Sequence, residues 1–256
     1  MVFNVIIISL LLTLQYKLLC RATSSPSATP SVLDCVTKDT YYAGVTLATS
    51  TDICCSGYIE ISTEVNTIAS SAFEGCTGLL DVVIPSTVTA VDSSAFEKCS
   101  SLTHINLPTS IESLADSVFS YCTALSSLIL PTSVISMGSG IFSGSSQMSS
   151  IVIPTSINRL ETSTFSSCTA LTSFIIPTSI TYIGVSTFFG SGLSSIIIPS
   201  SVLSLGIFTF YGCTALTSVT IDPGIVNIPG RAFKNCAKLG SLVIPSTATS
   251  IGERAI

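Results

Sequence analysis

The sequence predicts a repeat solenoid, in which short turns join the strands of a long parallel β-sheet. Three observations lead to this fold class. A phenylalanine recurs at steps of 23 residues with a single step of 22, a Cys or Ser follows it by three residues, and an apolar pair ending on proline closes most units. A fixed period of roughly 20 to 30 residues is typical of stacked arrays. The recurring residues are Phe73, Phe96, Phe119, Phe142, Phe165, Phe188, Phe210 and Phe233.

Each unit contains two apolar pairs, and the first is predicted to form the strand of the long sheet. Val82 and Ile84 face inward and Asp81 and Val83 outward, because successive side chains of a strand alternate between its faces. Pro85 ends the strand because proline has no N–H to donate to the next turn. The second pair of each unit also faces inward and suits a shorter sheet.

The chain divides into three predicted regions. Residues 1–22 form a signal peptide, since the apolar stretch from Val5 to Leu14 is too short to cross about 30 Å of hydrocarbon. Residues 23–57 form a Ser/Thr/Pro leader and a cysteine-containing N-terminal cap. Residues 58–256 form the solenoid, which we expect to be truncated at the C-terminus because residue 256 stands where the next phenylalanine should be. No transmembrane span is predicted in the mature protein.

Three cysteines of the cap are disulfide candidates. In an oxidising compartment Cys35 can form a bridge to Cys54 or to Cys55, and the alternative is three free thiols. The array itself carries one Cys per turn, with Ser145 and Ser191 filling two places. Buried free thiols are predicted there, because metal sites need clustered ligands and serine replaces cysteine without loss of the pattern. Disulfides between turns and a metal site are the alternatives.

The units resemble a known family at this level of detail. The pattern I-x-I-P-x-S-V-x-x-I-x-x-x-A-F-x-x-C-x-x-L is similar to the BspA-type leucine-rich repeat of bacterial and protist surface proteins, over about 58–256. The resemblance implies a leucine-rich repeat solenoid and an extracellular adhesin or binding module. It implies no particular ligand.

Catalysis has little support in the sequence, so no catalytic residue, metal or cofactor is predicted. His104 is the single histidine. It is predicted to lie beside Asp81 on the outer face of the sheet, with Ser127 in the next turn. The three resemble a catalytic triad, but an open sheet supplies no pocket or oxyanion donor, so an exposed surface pair is favoured.

The outward positions of the long sheet supply the predicted binding residues. A row of β-branched apolar side chains facing solvent exceeds what a soluble surface usually carries, although strand propensity alone also explains such residues. Between Ser117 and Ile221 the charged residues are Arg159 and Glu161 alone. The predicted concave binding face consists of Asp81, His104, Asn106, Ile129, Val152, Ile175, Ile197, Thr220 and Val243.

The sequence therefore predicts a secreted or cell-surface protein, not an enzyme, that binds through this face. The expected partner is a host, matrix or cell-surface protein or glycan. A net charge of −5 and 9% charged residues exclude the basic surface that nucleic acid requires. The alternative is a structural solenoid whose threonines after each proline form a hydroxyl array for a wall polymer, sugars or ice. These residues are Thr109, Thr132, Thr155 and Thr178.

Overall fold

A computed structural model describes residues 33–35, 56–61, 63 and 65–256 of the chain. The predicted signal peptide, most of the leader, Cys54 and Cys55 lie outside these residues. Of Cys35 the structure describes the backbone strand only, so the predicted bridge of the cap remains a prediction. The described part is a parallel β-solenoid in which each turn contributes a strand to one or both of two sheets.

The strands that contain the first apolar pair form the long sheet, and every pair within it is parallel. Equivalent residues of successive turns lie side by side, as Asp81 does with His104 and Val82 with Ile105. The strands are β1 (Leu33–Cys35), β2 (Ser56–Ile61), β4 (Gly78–Val83), β6 (His104–Asn106), β8 (Ser127–Ile129), β10 (Ser150–Val152), β13 (Ser195–Ile198), β15 (Ser218–Ile221) and β17 (Ser241–Val243).

The second apolar pair of each unit forms a shorter sheet, also parallel throughout. Its strands contain only two residues each. They are β3 (Thr67–Ile68), β5 (Ala90–Val91), β7 (Ser113–Leu114), β9 (Ser136–Met137), β11 (Arg159–Leu160), β12 (Tyr182–Ile183), β14 (Ser204–Leu205), β16 (Asn227–Ile228) and β18 (Ser250–Ile251).

The long sheet is not one uninterrupted ladder. It consists of the groups β1-β2-β4-β6, β8-β10 and β13-β15-β17. The second interruption falls in the turn whose inward residue is Phe174, where the other turns carry an aliphatic side chain. The Phe174 ring is buried against Phe165 and Phe188, at centroid distances of 5.0 and 5.3 Å. The second interruption thus coincides with this ring, whereas the first lies between turns whose inward residues are Ile105 and Leu128.

The recurrent phenylalanines form the centre of the core. All eight are buried, as predicted, and successive rings stack with centroid distances from 5.1 to 5.9 Å. The inward residues of both sheets and the leucines that follow the cysteines pack around this stack. Each turn therefore buries its apolar side chains mainly against the turns before and after it.

The tight turn around each phenylalanine uses two left-handed residues. In the second turn these are Ser94 and Lys98, with φ of 58° and 61°. This backbone directs the N–H groups of Ser94, Phe96 and Lys98 toward carbonyl groups of the following turn, at N···O distances of 2.8 to 3.0 Å. The Phe turns thus form a third hydrogen-bonded wall beside the two sheets, although they contain no strand.

Candidate functional site

The outward side chains of the long sheet and of the interrupted turn at Ile175 recur at one position of each unit. Four neighbouring aliphatic residues at this position are between 62 and 88% exposed, and we call these the aliphatic row: Ile129, Val152, Ile175 and Ile197. The strand register places Val152 beside Ile129 and Ile197 beside Thr220. The other predicted members are Asn106, which is exposed, Thr220, which is half-buried, and Val243, which is half exposed.

Hydroxyl groups border the aliphatic row on the side where its strands begin. The exposed residues Ser127, Ser150, Ser173 and Ser195 lie there. The hydroxyls one residue earlier in the chain donate to backbone carbonyls of the preceding turn, as Ser149 does to Ser126 at 3.2 Å and Thr217 to Ser194 at 2.9 Å. These bonds fix the side-chain rotamers, so this border is ordered before any ligand arrives.

The surface around the aliphatic row carries almost no charge. Arg159 and Glu161 bind each other, with 2.9 Å between Nε and Oε1. The Arg159 guanidinium also lies 4.0 Å from the centre of the Tyr182 ring, on the short sheet. This pair leaves little free charge for a ligand of the long sheet.

The N-terminal end of the same face is acidic and polar. Asp81 and His104 are neighbours in the sheet, but no hydrogen bond joins them in the described part of the chain. His104 instead shares a hydrogen bond of 3.1 Å between its Nδ1 and the Thr103 hydroxyl. Desolvation and the charges of Glu60 and Asp81 raise the pKa of Tyr58. Asp81 and His104 belong to β4 and β6, so they lie at the N-terminal end of the predicted face, before the first residue of the aliphatic row.

The cysteine column differs from its prediction in two ways. Cys76 is disulfide-bonded, whereas the other five cysteines of the column are free, so its bond lies outside the column. The sequence prediction of free thiols is therefore wrong for this first member. The thiols also do more than fill space, because each free Sγ lies 3.0 to 3.1 Å from the carbonyl oxygen of the phenylalanine one turn earlier.

Burial makes the free thiols poor nucleophiles. Desolvation raises the pKa of Cys99, Cys168 and Cys236 to about 12, and it raises the pKa of Cys122 and Cys213 as well. A thiolate is the reactive form of cysteine, and at neutral pH these side chains hold their protons. Within the described residues, no group of three or more His, Cys, Asp or Glu side chains has the geometry to hold a metal ion.

The threonines after the prolines also form a regular column. Thr109, Thr132, Thr155 and Thr178 are all exposed. The serine that follows each of them donates to a carbonyl of the preceding turn, as Ser133 does to Ile111 and Ser179 to Ile157, both at 2.7 Å. The serines therefore hold the turns together, and the threonines face solvent.

A feature that the sequence reasoning missed lies on the wall of Phe turns. Phe189, Phe208 and Tyr211 come together there, with 5.1 Å between the Phe189 and Tyr211 rings and 5.7 Å between the Phe208 and Tyr211 rings. We call these three residues the aromatic cluster. The sequence does contain a signal for this cluster, because Phe208 replaces a serine. Five other turns carry serine at the equivalent position, as Ser71, Ser94, Ser117, Ser163 and Ser186.

Comparison with known families agrees with this architecture. The family model described as "BspA type Leucine rich repeat region" matches residues 52–172 and 138–256, with six copies of the repeat. The chain belongs to the BspA-type leucine-rich repeat family. A comparison with curated proteins gives no match. Among the described residues, the structure contains no helix with the length and apolar character needed to cross a bilayer.

Solved structures of other leucine-rich repeat proteins are similar to this BspA-type chain in fold. A leucine-rich repeat protein from Bacteroides ovatus is 24% identical, with a TM-score of 0.47 and coverage of 77% of this chain and 71% of that one. The T. pallidum leucine-rich repeat protein is 20% identical, with a TM-score of 0.39 and coverage of 91% and 83%. The pneumococcal vaccine antigen PcpA is 18% identical, with a TM-score of 0.39 and coverage of 77% and 68%.

Proposed function

We propose that this chain is a secreted or cell-surface binding protein, and that its aliphatic row docks onto another protein. The observation that carries the proposal is the row itself, four adjacent aliphatic side chains held at 62 to 88% exposure. Continuous apolar surface of this kind is typical of interaction sites rather than of ordinary protein surface. Family membership and the apolar N-terminal stretch from Val5 to Leu14 support the location.

A protein partner fits this face better than a glycan does. The outward residues of the long sheet from residue 126 to 243 are Ser, Thr, Gly and aliphatic side chains, with no aromatic ring on which a sugar could stack. A charged partner segment would lose its hydration against the aliphatic row without gaining an opposite charge. The expected partner surface is therefore uncharged and aliphatic, with polar groups at one edge that reach the hydroxyl border.

The rigidity of the sheet contributes to binding. Backbone ladders hold Ile129 and Val152 side by side, and β-branched side chains lose little rotamer freedom on contact. Binding costs free energy mainly where groups must be ordered, so a row that is already ordered retains more of its contact energy. Several weak aliphatic contacts repeated along the array then add to a useful affinity.

The test is a binding panel of extracellular-matrix proteins and glycans with a charged double variant. Val152→Lys combined with Ile175→Lys places two cations in the aliphatic row, and both side chains are exposed enough for the fold to tolerate them. We expect the double variant to bind at least tenfold more weakly than wild type to the partner that the panel identifies. The matched control is Ile135→Lys with Leu203→Lys, at side chains 65 and 63% exposed beside the short sheet, and it should bind like wild type.

The structural alternative is favoured by the exposed threonine column. The column repeats along the array and its side chains are exposed to solvent, as a hydroxyl array that binds a polymer requires. Its members are Thr109, Thr132, Thr155 and Thr178. The variant Thr132→Ala with Thr155→Ala separates the two functions. Loss of binding in that variant, with full binding by the lysine pair in the aliphatic row, would overturn the proposal in favour of the hydroxyl array.

A further inference from the structure

The aromatic cluster breaks the repeat on the wall of Phe turns. Its residues replace small or acidic side chains of the other turns: Phe189 and Tyr211 stand where earlier turns carry Glu74, Glu97, Ser120, Ser143 and Ser166. The rings are accessible, since Phe189 is exposed and both Phe208 and Tyr211 are half-buried. Three aromatic substitutions in two adjacent turns form a local surface that the rest of the array lacks.

Phe208 occupies a backbone conformation that disfavours its side chain. Its φ is +59°, the left-handed region that the equivalent serines, Gly140 and Arg231 also adopt. A bulky residue at positive φ is an outlier that costs free energy, and such outliers concentrate at functional sites. The repeat itself folds with serine here, so the fold does not require the ring.

Polar and cationic groups border the cluster on its C-terminal side. The Arg231 guanidinium lies 5.5 Å from the centre of the Phe208 ring, and the Asn235 amide donates to the Tyr211 hydroxyl at 2.8 Å. Lys234 follows Tyr211 in the same column of the next turn. Among the described residues, neither Arg231 nor Lys234 takes part in a salt bridge. Two cations without acidic partners therefore lie beside the exposed rings.

The N-terminal side of the cluster is open. Ser166 and Ser186 are the equivalents of Phe189 and Phe208 in the turns just before them. A serine side chain is too short to cover an aromatic ring, so the faces directed toward these turns remain available to a ligand.

We propose that the aromatic cluster binds an anionic saccharide, that is, a sugar ring bearing a carboxylate or sulfate. The C–H face of a sugar ring carries partial positive charge and packs against the negative face of an aromatic ring. Arg231 and Lys234 pair with the acidic group, and the Asn235 carbonyl accepts from a sugar hydroxyl. Nucleic acid also offers anions and stacking rings, but the two cations Arg231 and Lys234 are too few to follow a continuous phosphate backbone.

This site is separate from the aliphatic row, because the cluster lies on the Phe turns and the row lies on the long sheet. The two proposals can therefore fail independently. A protein interface of standard size needs about 800 Å² from each partner, whereas the apolar surface here consists of the three rings and the neighbouring Ile207, which is 47% exposed. A small ligand fits this surface better than a protein does.

The test is isothermal titration of the full chain with hyaluronan hexasaccharide, a sugar with alternating carboxylates, and with maltohexaose as the neutral sugar of equal length. We expect heat of binding with the acidic sugar only, and a weaker affinity as salt concentration rises. Phe208→Ser restores the residue of the other turns, so it should keep or raise the melting temperature while lowering the affinity about tenfold or more. Arg231→Gln should remove the preference for the acidic sugar.

The matched control is Tyr121→Ala, at an exposed tyrosine of the same wall that lies outside the cluster. It should bind like wild type. Equal binding of the neutral and acidic sugars, or full affinity in Phe208→Ser, would overturn the proposal. So would binding of a sulfated or carboxylated sugar that Tyr121→Ala abolishes and Phe208→Ser leaves intact. Binding of a protein from the matrix panel through Phe208 and Tyr211, with no sugar bound, would reassign the cluster to a protein interface.

Discussion

At the scale of single residues, the position three after each phenylalanine has a clear physical requirement. It must be small, buried and able to donate a hydrogen bond to the carbonyl of the preceding Phe turn. Cys168 does so with its thiol, and Ser145 does so with its hydroxyl, which lies 2.7 Å from the Phe119 carbonyl. This shared donor explains why Ser145 replaces cysteine without loss of the fold, which size alone would not. Ser191 differs, since its Oγ lies 3.4 Å from the Cys213 Sγ.

Substitution of Cys168 tests this requirement. Cys168→Ser keeps the donor and should change the free energy of unfolding by less than about 1 kcal/mol. Cys168→Ala removes this donor, although the Phe142 carbonyl still accepts from the Ser145 N–H at 3.0 Å, and should cost about 0.5–1.5 kcal/mol more than Cys168→Ser. Chemical denaturation of both variants measures the difference. Equal losses in the two variants would mean that the hydrogen bond does not matter.

The same residue predicts a dependence on alkaline pH. An unfolded thiol ionises near pH 9, whereas burial holds the pKa of Cys168 at about 12 in the folded protein. Between these values the unfolded state loses its proton and the folded state keeps it, so stability falls as the pH rises. Melting temperatures measured above about pH 9 should therefore fall faster in wild type than in Cys168→Ser. Parallel curves for the two proteins would contradict the buried neutral thiol.

At the scale of elements, the sequence predicts the strands well and the Phe turns poorly. Two-residue alternation places Val82 inward and Val83 outward, and proline marks the strand end, so strand positions follow from local rules. The left-handed conformations of Ser94 and Lys98 do not follow from local preference, because the packed ring of Phe96 and its hydrogen bonds to the next turn impose them.

The Phe stack is the element whose loss should be most costly. Phe165 is fully buried between the rings of Phe142 and Phe188, at 5.6 Å from each. Phe165→Ala should lower the free energy of unfolding by about 3–5 kcal/mol and separate the array into parts that melt at different temperatures. Calorimetry should resolve two transitions, and Ile175→Thr, at an exposed position of the segment that follows Phe165, should melt like wild type. An unchanged melting curve for Phe165→Ala would refute the stacked core.

At the scale of the whole molecule, the repeat determines what is predictable. The aliphatic row occupies the same position in every unit, so aligning the units of one sequence is enough to find Ile129 and Val152. The aromatic cluster instead departs from the repeat, since Phe189 and Tyr211 replace small or acidic residues at one position and Phe208 replaces a serine three residues before Tyr211. Departures from the repeat are thus the signal for sites that the repeat itself does not specify.

The disulfide of Cys76 links the first Phe turn of the array to a cysteine outside the column. The predicted partners are the cap cysteines Cys35, Cys54 and Cys55, since the five other cysteines of the column are free. Peptide mapping without reduction should recover Cys76 linked to one of these three. A disulfide between Cys76 and the cap should stabilise the folded protein by about 2–4 kcal/mol, mainly by restricting the unfolded chain.

Cys76→Ser separates the cross-link from the packing, because serine is accepted at this position in two other turns. The variant should lose protection from hydrogen exchange in β3 and β5 and keep it in β12 and β14, because turns of an array are stabilised mainly by their neighbours. Wild type treated with a mild reductant should show the same local loss. Uniform loss of protection along the array would show that the turns unfold as one cooperative unit, and the nearest-neighbour description of this solenoid would then be wrong.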